Sequence, residues 1–350
     1  MVKKKILLMG ASGSGKTSMR ALIFSTHPSS LTMRWSPTIE VDQNHVRFFG
    51  DLILNLWDCG GQDSYMDGYL ATQQATVFQH VGVLIYVFDV QTPHLDKDLE
   101  YYQRCLAALR TYSPGAAVFL LVHKMDLVSD PREKRKTLER KTQELKEASG
   151  DAEVTVFGTT IHDESLYKAW SRIVHTLIPN AGVLSKHLTT LGYACSATEV
   201  ILFERTTFLV IATSSPTPTT VAPVSASTSP APNPLNDLQT PTTTSGVSLP
   251  TTEHESVEPD ANPHQLSPTR YERTSELIKG FKLSCSRVRE EFQSLEVELA
   301  DFTAVLDELT KNTYVLIVVH DPTIETAALR MNIRLARKKF EELQGDSLIS

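Results

Sequence analysis

The string Gly10-Ala11-Ser12-Gly13-Ser14-Gly15-Lys16-Thr17 constrains this 350-residue chain more than any other feature. It follows a short apolar run, Lys5–Met9, and precedes Lys16–Ser25, whose pattern predicts a helix. Strand, glycine-rich turn and helix in that order match the phosphate-binding pattern G-x-x-x-x-G-K-[ST]. The glycines let the backbone curl so that its N–H groups face phosphate oxygens. The helix N-terminus adds partial positive charge. Lys16 is then expected at the β- and γ-phosphates, and the Thr17 hydroxyl at a Mg²⁺ ion.

The surroundings predict a mostly parallel sheet covered on both faces. Apolar runs predict strands at Lys5–Met9, Leu52–Trp57, Val81–Val90, Ala117–His123 and Val154–Phe157, with His45–Phe49 joined to Leu52–Trp57 by a Gly50-Asp51 turn. Helical spacing lies between them at Leu95–Tyr112, Pro131–Ser149 and Glu164–Leu177. Pro131 suits a first helical turn, with Asp130 as its cap.

Composition changes sharply from Ser214 to Pro268. That stretch holds 11 of the 18 prolines, 9 serines and 10 threonines, and no Lys, Arg, Phe, Trp or Tyr. It cannot bury enough apolar surface to offset its ordering entropy, so a disordered insertion is expected at 214–268. Its flanks predict structure: a helix at Asn180–Leu191 and a hairpin of Glu199–Phe203 and Thr207–Ala212 turning at Glu204-Arg205. Downstream, Ile278, Phe281, Cys285, Val288 and Phe292 fall on one helical face. Strands at Leu295–Leu299, Phe302–Leu306 and Tyr314–Val319 and a helix over Thr323–Glu342 close the chain. The expected organisation is one region at 1–180 and an interrupted second at 181–350.

Three further strings carry chemistry. Asp58, in Leu54-Asn-Leu-Trp-Asp58-Cys-Gly-Gly61-Gln62, ends an apolar strand and can hold a metal's water shell. Gly61 can offer its N–H to a γ-phosphate, and Gln62 can orient an attacking water. Thr38, in Pro37-Thr38-Ile39-Glu40, can complete the metal sphere only with a γ-phosphate present, which makes its loop a sensor. In His123-Lys124-Met125-Asp126 the carboxylate can accept the N1–H and N2–H of guanine, a donor pair that adenine lacks. The Lys124 stem can lie along the base, and backbone N–H groups of Thr159-Thr160-Ile161 can meet the guanine O6.

Other chemistries lack support. The net charge of −7 argues against broad binding to nucleic acid. No apolar run approaches the roughly 18–20 residues of a membrane helix. The apolar stretch after the first lysines is too short for a signal peptide, and no lipidation motif is present, so no direct membrane insertion is expected. The four cysteines are far apart and suit a reduced, cytosolic chain. Cys59 is expected as a packing residue. No zinc-ligand spacing and no serine-hydrolase elbow occur.

Taken together, the strings resemble the Ras-like small GTPases, and in detail the Rag GTPases of the A/B class, fungal members included. The resemblance is carried by Lys4–Gly10, Ser12–Arg20, Asn55–Asp63, Leu84–Val90, His123–Leu127, Tyr167–Ser171, Leu202–Val210 and Phe281–Ser286. It implies an α/β fold: a Ras-like domain with a mixed, mostly parallel six-stranded sheet, then an α/β roadblock (longin-like) dimerisation domain carrying the insertion. Ser12, Gly13, Ser14, Gly15 and Ser18 join Lys16 and Thr17 as expected nucleotide contacts, with Thr38, Gly61, His123, Lys124, Asp126 and Ile161. Lys16 and Gln62 are the expected catalytic residues. Thr17, Thr38 and Asp58 are the expected Mg²⁺ set, Asp58 through water. His123 stands where most Ras-like proteins have asparagine, and agrees with the Rag pattern.

What the resemblance implies for function is a slow guanine-nucleotide switch paired with a C/D-class Rag partner. The pair reports amino-acid sufficiency to the target-of-rapamycin complex at the lysosomal or vacuolar surface, where a membrane scaffold complex holds it. Arg34 is not aimed at the phosphates by anything in the sequence, so a GTPase-activating complex supplying an arginine is expected. The alternative is a nucleotide-stabilised scaffold working mainly through its C-terminal region. An adenine-specific ATPase is opposed by Asp126.

Overall fold

Strand β1 (Lys3–Met9) is apolar on both faces, and both faces are covered. In the structure, a computed structural model, residues 3–25, 42–47, 53–178, 181–214 and 270–346 are described. Side chains alternate along a strand. Ile6 and Leu8 therefore join Met19 and Ile23 of α1 (Lys16–Phe24) and Leu166 and Trp170 of α6 (Ser165–His175). Leu7 and Met9 join the opposite layer. It contains Met66 and Leu70 of α2 (Asp63–Ala71), Val77 and Phe78 of α3 (Gln74–Phe78), Tyr102 and Cys105 of α4 (Leu95–Tyr112) and Leu145 of α5 (Pro131–Ser149).

The sheet runs β2-β3-β1-β4-β5-β6, with β2 (Asp42–Arg47), β3 (Ile53–Asp58), β4 (Val81–Asp89), β5 (Ala117–His123) and β6 (Val154–Thr159). All pairings are parallel except β2 with β3. The direction of winding reverses at β1, because β3 lies on one side and β4 on the other. In parallel α/β sheets such a reversal opens a crevice at the carboxyl ends of the strands. Register puts the chemistry there: Leu8 lies opposite Asp58, Asp89 opposite His123, and His123 opposite Thr159.

A second sheet is wholly antiparallel, in the order β8-β7-β11-β10-β9. Its strands are β7 (Glu199–Glu204), β8 (Val210–Thr213), β9 (Leu295–Glu298), β10 (Thr303–Thr310) and β11 (Thr313–Val319). Helices α7 (Ala181–Ala194) and α9 (Thr326–Asp346) contribute Leu184, Leu188, Leu329 and Ile333 to one face, with Leu202 and Val315. Helix α8 (Arg270–Arg287) packs Ile278 on the other, with Phe203 and Leu316. Among the described residues no helix is long and apolar enough to cross a membrane.

Several expectations needed correction. Helices α2 and α3 were not anticipated, because a glycine and scattered polar residues hide their stripe. The β7–β8 turn is longer than expected, and Thr207–Leu209 are not strand. There the buried Glu204 carboxylate accepts hydrogen bonds from the Thr206 and Thr207 N–H groups and the Thr207 hydroxyl, which curls the chain. Helix α8 stops at Arg287, so Val288 and Phe292 do not continue its face. Glu290 N–H bonds back to the Cys285 carbonyl at 3.0 Å, and Arg289 has φ +62°, the geometry of a helix-ending Schellman turn. Val288 is exposed, while Phe292 is buried against Phe208 and Tyr314. The expected Gly50-Asp51 turn, the 215–268 part of the insertion, Arg34 and Thr38 lie outside the described residues.

Candidate functional site

The loop between β1 and α1 depends on its glycines. Gly10, Gly13 and Gly15 have φ of +136°, +80° and +98°, where side chains are strained. At two of them space is also lacking. A Cβ on Gly10 would lie 2.2 Å from the Val87 carbonyl oxygen, and one on Gly15 would lie 2.5 Å from the His123 ring. Met19 N–H donates to the Gly15 carbonyl at 3.0 Å, so the loop feeds directly into the helix. Ser12 and Gly13 are exposed at the tip, whereas Ser14 is buried. Lys16 folds back over the loop and donates to the Gly10 and Ala11 carbonyls, both at 2.8 Å, with Ser14 Oγ at 3.4 Å. Burial pushes its ammonium down to about 8, opposed by nearby Asp58. The result is a cation fixed at the loop mouth.

Asp58 ends β3 and is fully buried. The Thr17 hydroxyl lies beside its carboxylate. Arg20 Nε lies 3.1 Å away and reaches Asp42 of β2 at 2.8 Å with its other end. Burial raises the Asp58 pKa, while the Thr17 hydroxyl, Arg20 and Lys16 oppose the rise. A buried carboxylate beside a hydroxyl at a phosphate loop is an oxygen donor set that fits Mg²⁺. Ser18 is half-buried on α1.

Gly61 lies directly against the phosphate loop. Its carbonyl accepts the Ser12 N–H at 2.8 Å, and a Cβ would sit 2.3 Å from the Gly10 oxygen and 2.5 Å from the Ser12 nitrogen. The glycine is therefore required by contact between two loops, besides any role for its N–H. Gln62 is the residue before α2 and is half-buried; its carbonyl accepts the Met66 N–H at 3.0 Å. Ion pairs Asp63–Lys97 and Asp67–Arg104 tie α2 to α4. Cys59 is buried, and burial pushes its thiol up to about 12, as suits a packing residue.

A third group gathers at the ends of β4, β5 and β6. His123 is buried, its Cδ2 edge under Gly15 and its Nδ1 2.9 Å from Thr159 Oγ1. Burial, reinforced by Lys124, pushes the imidazole down to about 4. Lys124 has φ +61°, and its Nζ donates to Asp89 at 2.6 Å. Asp126 accepts from the Thr160 hydroxyl, and His162 Nε2 is 4.0 Å from its other oxygen. Burial raises the Asp126 pKa, but the Thr160 bond, its own backbone N–H and the two histidines outweigh it and hold the group ionised. Thr160 N–H donates to Ser165 Oγ at 3.1 Å. It is therefore not one of the donors expected for a base oxygen, and Ile161 remains from that trio alongside Thr159. Ile161 packs its side chain on the core.

Sequence reasoning missed Arg20, Asp89 and the side-chain roles of Thr159 and Thr160. Asp89 had a signal of the Asp58 kind, a carboxylate closing an apolar strand run. The other three act through partners on neighbouring elements, which spacing along one segment does not reveal.

Comparison with known proteins agrees with this geometry. Residues 5–278 match the family described as the Gtr1/RagA G protein conserved region. The chain is 42% identical to Ras-related GTP-binding protein A of Dictyostelium discoideum, over 97% of this chain and 98% of that protein. It is 42% identical to GTP-binding protein gtr1 of Schizosaccharomyces pombe, over 99% and 98%. A more distant likeness, 29% over 61% of this chain and 68% of the relative, is to GTP-binding protein gtr2 of the same yeast. With a six-stranded Ras-like sheet and a phosphate loop at its point of reversal, the chain belongs to the Gtr1/RagA family of G proteins, guanine-nucleotide-binding GTPases.

Proposed function

We propose that the groups around Lys16, Asp58 and Asp126 form one guanine-nucleotide site and hydrolyse GTP slowly. The observation that carries this reading is their placement: a fixed cation after β1, a buried carboxylate beside a hydroxyl at the end of β3, and an ionised carboxylate after β5 all lie at the carboxyl ends of one sheet. Backbone N–H groups of Ser12–Thr17 hold the phosphates, and Lys16 neutralises their charge. Thr17, Thr38 and Asp58, the last through water, would hold a Mg²⁺ ion, which when bound would further neutralise phosphate charge. Gln62 aligns water for in-line attack on the γ-phosphate, whose bond to the β-phosphate oxygen breaks to give GDP and phosphate. Asp126 accepts the two guanine N–H groups, Lys124 covers the ring, and the Ile161 N–H meets its O6. His123 braces this half of the site against Gly15.

The same proposal extends to the whole chain. Residues 1–180 form the GTPase domain. Residues 181–350 form a roadblock-type dimerisation domain that pairs with a C/D-class Rag protein. The heterodimer signals amino-acid sufficiency to the target-of-rapamycin complex from the cytosolic face of the vacuolar or lysosomal membrane, held there by a scaffold complex and switched off by a GTPase-activating complex. The resemblance of the chain to two proteins of one yeast, gtr1 strongly and gtr2 weakly, supports a paired paralogue as partner.

Hydrolysis tests the catalytic assignment. Gln62→Leu is expected to bind GTP normally and to lose activator-stimulated turnover by about 10²-fold or more, the size of effect that loss of positioning has. Wild-type turnover by that variant with activator present removes Gln62 from the mechanism.

A further inference from the structure

Helix α1 carries the phosphate loop at one end. Its other end is held from far along the chain. Lys279 of α8 is buried, and its Nζ donates to the carbonyls of Leu22 and Ile23. Those carbonyls belong to the last turn of α1, where a helix has no partners of its own for them. A cation there also complements the helix dipole, and α1 has no basic residue of its own in that turn. At nine residues α1 is too short to be stable unaided.

The surroundings of Lys279 point the same way. Its ammonium lies 5.7 Å from the Tyr167 ring centroid on α6. Burial pushes its ammonium down to about 7; the buried Glu204 carboxylate of the β7–β8 turn opposes that fall and Lys282 adds to it. Lys282, three residues on, faces that carboxylate too but donates to the Arg205 carbonyl at 3.2 Å. Two neighbouring lysines thus divide their work: one bonds within the C-terminal half, the other crosses to α1.

We propose that Lys279 is a positioning residue for nucleotide binding, which caps α1 from the C-terminal half and so steadies the phosphate loop at the helix's other end. The inference rests on Gly10–Thr17 being that loop. It also makes coupling reciprocal: nucleotide binding at one end of α1 must stabilise α8 at the other.

Release of a fluorescent GDP from the full-length chain tests this. Lys279→Met is expected to release GDP about threefold to thirtyfold faster, the range set by loss of a helix-terminal cation. Lys279→Arg is expected to restore slow release, and Lys282→Met to release like wild type even where it melts lower. Wild-type release by Lys279→Met overturns the proposal. So does acceleration by Lys282→Met equal to that of Lys279→Met, since both then reflect general destabilisation. Should Lys279→Met not fold, amide exchange of the wild-type chain decides: GDP is expected to slow exchange in α8 around Lys279, and unchanged exchange there overturns the proposal. Lys16→Met separates this from the underlying reading, for undiminished GDP binding by that variant removes the phosphate loop itself.

Discussion

His123 is fixed by the Gly15 backbone above it and Thr159 beside it, and that confinement has a measurable consequence. Its folded pKa is depressed to about 4 by burial and by Lys124, against about 6.5 in an unfolded chain. Between those values the unfolded chain binds more protons, so stability falls as pH is lowered through the window. The loss from this one group approaches about 3 kcal/mol below it. His123→Asn removes the titration, and its melting temperature is expected to drop less than that of wild type between pH 6.5 and 4.5; equal drops would place the acid sensitivity elsewhere. The glycines separate two effects at the same scale. Gly61→Ala must displace the phosphate loop and is expected to cost about 1–3 kcal/mol in thermal or urea unfolding. Gly13→Ala meets nothing within 4 Å and carries only the strain of a positive φ, so its cost is expected to be the smaller. The reverse order would refute the contact between the Gly61 turn and the loop. The places of Lys16, Asp58 and Asp126, after β1, at the end of β3 and after β5, were legible in the sequence because each follows an apolar strand run. Arg20, Thr159 and Lys279 were not, because each acts on an atom brought near only by folding.

Elements divide along the same line. Helices α4 and α5 have the bounds their spacing predicts, because their ends carry their own signals. In α5, Asp130 Oδ1 accepts the Arg132 N–H at 2.8 Å and Pro131 opens the first turn. Asp130→Ala is expected to remove about 1 kcal/mol of stability, read as a lower urea midpoint at unchanged slope; no shift would mean that solvent serves those N–H groups as well. Helices α2 and α3 had no such signature. Their order comes from Met66, Leu70, Val77 and Phe78 docking on the sheet and from ion pairs to α4, a pattern too short for spacing along the sequence to reveal. The β7–β8 turn was misplaced for a related reason: one buried carboxylate, Glu204, dictates a longer path than apolar alternation suggests.

At the scale of the molecule, alternation of strand and helix foretold the six-stranded sheet, and the helix, two strands, insertion, helix, three strands, helix order foretold the second one. What alternation did not reveal is that both contribute to one apolar cluster, in which Trp170 and Ile178 meet Leu184, Leu209 and Ile211. Lys279 is a polar member of that junction. The central claim remains that Asp126 reads guanine at a site built on the phosphate loop. Competition of GTP, GDP, XTP and ATP against fluorescent GDP tests it most directly, on the Mg²⁺-loaded wild-type chain and on Asp126→Asn. The account predicts displacement by GTP and GDP but not ATP in the wild type. In the variant, preference is expected to shift toward XTP, whose base offers an oxygen to the new amide. Displacement by ATP, or an unchanged guanine preference in Asp126→Asn, would contradict it.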